Sequence, residues 1–225
     1  MLRINDELLV IENIGSANVF CIGTPDRYVL IDTGIFMKTR VLIQELEQNG
    51  FELNNLKTII LTHCHCDHIG GVKELLEKSN AKVAAHKNDI PFILQKAVIE
   101  GSYNKMMIEE QKTMKQLNCA VPRIDIVLEN DSIIEGLKVI NVPGHTPGSI
   151  ALYQREKGYM FFGDVIRESK KDGLTIGKPE KFNLDTKQVN LDAKKLLSFD
   201  IKYGLLSHGK VYAGEEIKRL RELVG

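Results

Sequence analysis

Short apolar runs separated by glycine, proline and charged residues dominate the first third of the chain. Runs of this length predict strands. Near residues 37–49, and again at Val72, Leu75 and Leu76, apolar residues instead lie between charged ones at helical spacing, which predicts amphipathic helices. The predicted strands of this part are residues 8–11, 18–22, 28–31, 58–61 and 82–85.

The second half of the chain repeats this succession of strands and helices. Between the halves, residues 88–118 have the composition of a helical insertion, whereas residues 168–181, rich in glycine, lysine and aspartate, predict a loop. The pattern therefore predicts an α/β protein with two similar halves, and a length of 225 residues suits a single domain. The predicted strands of this half are 124–128, 137–142, 150–153, 160–162 and 203–206, and the helices are 185–197 and 215–224.

The charge balance excludes a general attraction to polyanions. Lys plus Arg and Asp plus Glu each number 30, so the net charge is zero, and we expect a small-molecule substrate, not nucleic acid or a membrane. The first residues lack the layout of a signal peptide and no apolar run approaches transmembrane length, so we expect a cytoplasmic protein. The oligomeric state stays open.

The four cysteines are expected to be reduced. Cys21, Cys64, Cys66 and Cys119 form no CxxC pair, and Cys64 and Cys66 are too close in an extended segment for an easy disulfide. Buried thiols in a cytosolic protein are the favoured interpretation. Cys66 as a metal ligand is the alternative, although its expected direction, away from the neighbouring histidines, argues against it.

Residues 61–71 hold the densest group of possible metal ligands. His63, His65, Asp67 and His68 fall within six positions, between a predicted strand and a predicted helix. Imidazole and carboxylate are natural ligands of zinc and related divalent metals. In an extended segment His63, His65 and Asp67 would share one face, opposite Cys64 and Cys66. The glycines that follow would let the backbone approach a metal closely.

Three further ligand-type residues each follow a predicted strand. They are His145 in a turn between two prolines, Asp164 after an apolar run and His208 before a glycine. Each alone is weak evidence, because such residues commonly cap turns. Side chains that repeatedly follow strand ends can converge on one edge of the sheets, so together with residues 63–68 they predict a metal site.

These motifs resemble those of the metallo-β-lactamase superfamily. The resemblance rests on four motifs: HxHxDH at residues 63–68, GHT around His145, GD at Asp164 and HG at His208. It covers nearly the whole chain. It implies an αβ/βα sandwich, with two mixed β-sheets face to face and helices on the outer faces. It also implies one metallo-β-lactamase-like domain over residues 1–225, with two metal ions in the cleft between the sheets.

The resemblance also implies which residue holds which metal. His63, His65 and His145 would hold one ion, Asp67, His68 and His208 the other, and Asp164 would bridge them. Asp32 resembles a support behind the ligands. His86 has no counterpart, so we interpret it as a structural histidine.

Two metals with seven ligands leave room for a bridging water, which such ions convert to a hydroxide near neutral pH. That hydroxide could attack a small ester, thioester or lactone, with Asp67 orienting the nucleophile or passing a proton. Zinc is the expected metal, and iron or manganese is compatible with the same ligands. The hypothesis is therefore a dinuclear metal-dependent hydrolase.

Departures from individual branches narrow the choice without fixing the substrate. True β-lactamases commonly have cysteine where Asp164 stands, and glyoxalase II carries a longer C-terminal part than the residues after His208. Lactonases often have tyrosine at the position of Arg167. The main alternative resembles persulfide dioxygenases, with one iron on His63, His145 and Asp164. A non-catalytic metal-binding protein is a third hypothesis, which the full ligand set disfavours.

Overall fold

A computed structural model describes residues 1–12, 14–101, 104–177 and 179–224. The chain divides into two compact units, in agreement with the two predicted halves. The first comprises residues 1–98 and 104–127, and the second comprises 128–225 with the short segment 99–103.

A seven-stranded mixed sheet organises the first unit. Strands β1 to β4 are antiparallel neighbours, whereas β4, β5 and β6 run parallel. The strands predicted from apolar runs are confirmed to within two residues at most ends, but β1 was missed because it is two exposed residues. In sheet order the strands are β1 (Leu2–Arg3), β2 (Leu8–Ile11), β3 (Val19–Thr24), β4 (Arg27–Ile31), β5 (Leu56–Ile60), β6 (Lys82–His86) and β7 (Ile126–Leu128).

Five α-helices belong to the first unit among the residues described. Helix α1 buries Leu42, Ile43 and Leu46, as the helical spacing predicts. The helical insertion predicted for residues 88–118 consists of two helices, α4 and α5, and residues 102 and 103 of that prediction lie outside the described residues. The helices are α1 (Thr39–Gln48), α2 (Cys66–Ile69), α3 (Val72–Lys78), α4 (Ile90–Ile93) and α5 (Asn104–Gln116).

The second unit contains a six-stranded mixed sheet and a separate hairpin. All neighbours in the sheet are antiparallel except β11 and β14. The predicted loop over residues 168–181 is wrong in its first part, because Ile166–Ser169 and Gly173–Ile176 pair as a hairpin. The sheet consists of β8 (Ile133–Ile134), β9 (Leu137–Asn141), β10 (Ile150–Gln154), β11 (Tyr159–Phe161), β14 (Tyr203–Leu205) and β15 (Val211–Ala213), and the hairpin of β12 (Ile166–Ser169) and β13 (Gly173–Ile176).

Helices α6 (Thr186–Leu197) and α7 (Ile217–Glu222) pack on the core of this unit. Asp185 caps α6, since its side chain accepts hydrogen bonds from the backbone N–H groups of residues 187 and 188. The apolar faces of both helices join one buried cluster with the sheet residues, which positions the loops at the strand ends. That cluster includes Phe162, Val189, Leu196, Tyr212 and Leu220.

The predicted α/β class with two mixed sheets and helices is confirmed. Each predicted ligand loop leaves the end of a strand. His63 follows β5, His145 follows β9, Asp164 follows β11 and His208 follows β14, each three or four residues after the strand ends. Within the described ranges, no helix has the length and apolarity needed to cross a membrane.

Candidate metal centre

The histidine-rich loop of the first unit is extended at first and helical afterwards. His65 has extended backbone angles, φ −70° and ψ 146°, and α2 begins at the next residue. The expectation that Asp67 lies in an extended segment is therefore wrong. The amide of His68 instead donates to the carbonyl of His65 at 3.0 Å. This turn brings the ring of His68 to 4.0 Å from that of His63, between centroids, with His65 at 4.7 Å from His63.

Asp32 holds the histidine-rich loop by hydrogen bonds, which agrees with the supporting role that the resemblance implies. Its fully buried carboxylate accepts hydrogen bonds from the amide and the hydroxyl of Thr62, at 2.8 and 2.7 Å. The same carboxylate lies 2.7 Å from Nδ1 of His68. Because a carboxylate only accepts, this contact places a proton on Nδ1 and leaves Nε2 of His68 as the nitrogen suited to a metal.

Thr62 fixes the position of the proton on the His63 ring in a similar way. Its hydroxyl hydrogen is donated to Asp32, so the oxygen accepts from Nδ1 of His63, which lies 3.0 Å away. His63 therefore also presents Nε2 as its metal-binding nitrogen. Thr62 belongs to none of the predicted ligand motifs, although its hydroxyl directly before the first ligand was an available signal.

Asp67 is the most accessible of the predicted ligands in this unit. Its side chain is 22% exposed, and Oδ1 lies 3.8 Å from Nε2 of His68. Its second oxygen accepts a hydrogen bond from the hydroxyl of Ser16. This position, buried on one side and open on the other, is compatible with a carboxylate that both binds a metal ion and orients the attacking nucleophile.

The loop glycines serve close backbone packing. A Cβ atom on Gly70 would lie 2.4 Å from the backbone nitrogen of Phe36, and one on Gly71 would lie 2.8 Å from the carbonyl oxygen of Thr33. Thr33 binds the loop directly, since its amide and hydroxyl both donate to the carbonyl of His68. The glycines therefore let the loop pack closely on residues 33–36. The expectation from the sequence was that they would let the backbone approach a metal.

In the second unit, Asp164 lies between two histidines. Its Oδ2 is 3.3 Å from Nε2 of His145, and its Oδ1 is 3.3 Å from Nε2 of His208. All three side chains are buried. One carboxylate that presents a different oxygen to each imidazole has the form expected of a ligand shared by two ions.

Asn183 fixes the orientation of His145. Its Oδ1 accepts from Nδ1 of His145 at 2.9 Å, while its amide nitrogen donates to the carbonyl of Gly177 at 2.6 Å. The second contact sets which end of the amide faces the histidine, so Nδ1 of His145 carries the proton and Nε2 is the metal-binding nitrogen. The role of Asn183 was not predicted from the sequence, because Asn183 lies far from His145 in the chain and belongs to no motif.

Helix α6 holds the turn that carries His145. A Cβ atom on Gly144 would lie 2.3 Å from the backbone nitrogen of Val189, so the turn packs directly on the first residues of α6. The amide of Leu184 donates to the carbonyl of His145 at 3.1 Å, and Asp192 accepts from the amide of Gly144. Only glycine permits this close approach, because any side chain at residue 144 would collide with the backbone of α6.

The cysteines are free thiols, as expected. Cys64 is fully buried and Cys66 is partly buried, and both line a small cavity with Met107 and Met114 of α5. Burial raises the pKa of both thiols above the ordinary value. The contact of both thiols with this methionine-lined cavity favours the packing interpretation of Cys64 and Cys66 over ligation.

His86 ends β6 and is only 3% exposed. Its Nδ1 accepts a hydrogen bond from the amide of Asn88 at 3.4 Å, which ties the turn after the strand to the ring. This placement agrees with the structural role predicted for it.

Comparison with known proteins supplies the family. The model of the metallo-beta-lactamase superfamily matches residues 13–208. The chain belongs to the metallo-β-lactamase superfamily. It is thereby a metal-dependent hydrolase, as predicted. The family match includes all seven predicted ligands within its bounds, whereas their individual roles, and the single domain over residues 1–225, stay predictions.

Relatives and solved structures are consistent with this membership. The probable metallo-hydrolase YflN of Bacillus subtilis is 30% identical over 224 residues, covering 90% of this chain and 84% of its own length. A hydroxyacylglutathione hydrolase of Idiomarina loihiensis is 28% identical over 70% of this chain and 49% of its own length. The crystal structure of TTHA1623 in a di-iron-bound form has a TM-score of 0.65 at 24% identity, covering 92% of this chain and 93% of its own, and it shows the shared fold.

Replacing Asn183 with alanine tests the support of His145. Without the amide, His145 loses the partner that fixes its proton on Nδ1, so we expect divalent metal affinity to fall about tenfold or more. Competition against a chromophoric chelator measures that affinity. The control is Asn190→Ala, which removes an exposed amide from the following helix, α6. Equal affinities for the two variants would contradict the assigned role of Asn183.

Proposed function

We propose that the chain is a dinuclear metallohydrolase of small esters, thioesters or lactones. His63, His65 and His145 hold one divalent ion, and Asp67, His68 and His208 hold the other. Asp164 bridges the two. Zinc is the proposed metal.

The donor atoms support this assignment. Buried imidazole nitrogen and carboxylate oxygen form the donor set expected for zinc, and iron accepts the same set. In His63, His68 and His145 a hydrogen-bonded partner engages Nδ1, which directs Nε2 to the metal. The observation that carries the proposal is Asp164, whose two oxygens each lie 3.3 Å from a different histidine.

Two bound cations would supply an activated water and polarise the carbonyl of the substrate. The residues of the chain do the rest. Asp67, with one oxygen fixed by Ser16 and partial exposure, orients the nucleophile or carries its proton. Asp32 keeps the proton of His68 on Nδ1, and its two hydrogen bonds from Thr62 hold the carboxylate in place for this contact.

A thioester is the first substrate class to test. The relative from Idiomarina loihiensis is named a hydroxyacylglutathione hydrolase, and its name denotes hydrolysis of a thioester. The match covers about half of that relative, so the proposal extends to the thioester bond and not to the glutathione part of its substrate. The free thiols of all four cysteines support a reducing compartment, and we place the enzyme in the cytoplasm.

Metal analysis of protein purified without added metal, followed by a panel of esters, thioesters and lactones, tests the proposal. We expect two zinc ions per chain and hydrolysis that a chelator abolishes and added zinc restores. The control is His86→Asn, which alters a buried histidine outside the ligand set. One iron per chain with oxygen uptake on glutathione persulfide would contradict the proposal and favour a dioxygenase.

A further inference from the structure

Asp192 is a buried carboxylate on the side of α6 that faces the core. It is 3% exposed, and its neighbours on that side, Val189, Ala193 and Leu196, are apolar and belong to the core cluster. Burial raises the pKa of Asp192 above the ordinary value of an aspartate, so the cost of desolvation outweighs the hydrogen bonds that favour its charge. An apolar residue at this position would therefore serve stability better.

Both oxygens of this carboxylate accept hydrogen bonds from uncharged amides. Oδ2 accepts from the backbone N–H of Gly144 at 3.1 Å, and Oδ1 accepts from Nε2 of Gln188 at 2.9 Å. The contact with Gly144 is buried, and a buried N–H that loses its acceptor is costly. The residue before Gly144 is Pro143, which has no N–H to offer in its place.

The bond from Gly144 completes the attachment of the turn that carries His145. The amide of Asp185 donates to the carbonyl of Gly144, and the amide of Leu184 donates to the carbonyl of His145. These two bonds hold the peptide groups after Gly144, whereas Asp192 holds the one before it. Glycine has wide conformational freedom, so all of these peptide groups must be held for the next residue to keep one direction.

We propose that Asp192 is a positioning residue for the metal ligand His145. It acts through the backbone of Gly144 and does not touch the metal. The inference rests on the proposed role of His145 as a ligand. The buried charge lowers stability, and in return the direction of the ligand is fixed before the metal arrives, which removes an ordering cost from binding.

Zinc affinity tests this role, measured on metal-free protein in competition with a chromophoric chelator. In Asp192→Ala we expect the affinity to fall about tenfold, as when the outer support of a metal ligand is removed. Asp192→Asn should stay within about threefold of the wild type. Its carbonyl oxygen still accepts from Gly144, and the amide of Gln188 can rotate to present its oxygen to the new N–H donors.

Leu196→Ala is the matched control for a loss of stability. Leu196 is fully buried on the same side of α6, and its truncation leaves a cavity in the core. It should lower the denaturant midpoint at least as much as Asp192→Ala, while zinc affinity stays within about twofold of the wild type. Equal losses of affinity in Leu196→Ala and Asp192→Ala would overturn the proposal. An Asp192→Asn variant as weak as Asp192→Ala would overturn it too.

Hydrogen exchange in the metal-free protein separates this inference from the proposed function. In Asp192→Ala the amide of Gly144 should exchange about tenfold faster or more, while the amides of the neighbouring strand β10 keep their rates. A wild-type rate at Gly144 in this variant would refute the inference. Faster exchange at Gly144 in a protein whose wild type binds no divalent ion would refute only the proposed metal centre.

Discussion

Replacing Asp164 with alanine should reduce hydrolysis about a thousandfold or more, since the proposed bridge supplies an oxygen to each metal. Its two oxygens lie 3.3 Å from the Nε2 atoms of His145 and His208, so no neighbouring group can take over both contacts. Metal content should fall from two ions per chain to one or none. Elemental analysis and the hydrolysis rate measured on the same preparation check both expectations.

Asp172→Ala is the control for this variant. Asp172 lies in the turn of the hairpin in the same unit and is exposed, and its side chain accepts a hydrogen bond from the hydroxyl of Ser169. Its loss should leave metal content and rate unaltered. If Asp164→Ala kept two metal ions and a rate within tenfold of the wild type, Asp164 would not be the bridge.

The second large effect is expected for Asp32, whose removal should cost about 3–5 kcal/mol of unfolding free energy. The carboxylate is fully buried and accepts three hydrogen bonds, two from Thr62 and one from His68. In Asp32→Ala these buried donors lose their acceptor. Alanine is also strained at the left-handed backbone angle of this residue, φ +61°. Denaturant unfolding of the metal-free protein measures the change.

Asp32→Asn separates the charge from the strain, because asparagine tolerates the left-handed region and keeps the size of the side chain. It should lose less stability than alanine and still lower metal affinity, since an amide no longer holds the proton on Nδ1 of His68. The control is Asp26→Ala, in the exposed turn between β3 and β4. A loss below about 1 kcal/mol for Asp32→Ala would show that the buried network does not hold the loop.

Much of the fold was predictable, because strands and helices differ in the period of their apolar residues. Residues 8–11 are β2 as predicted, and α6 begins at Thr186, one residue after the predicted start of that helix at Asp185. The strands missed are short or exposed, such as Leu2–Arg3 and Ile133–Ile134, which carry too few residues for a period. The hairpin at Ile166–Ser169 and Gly173–Ile176 was missed because its lysines and glycines are typical of loops.

The sequence by itself determined which residues can bind metal and where each follows a strand. Ligand chemistry is a property of the side chain, and the strand ends are visible in the local pattern. Only the tertiary structure decided which residues hold those ligands in their orientations. Thr62 orients His63 through a hydroxyl that is already donated to Asp32, and Asn183 orients His145 from 38 positions away. Hydrogen bonds between distant residues depend on the packed fold and leave no periodic trace in the sequence.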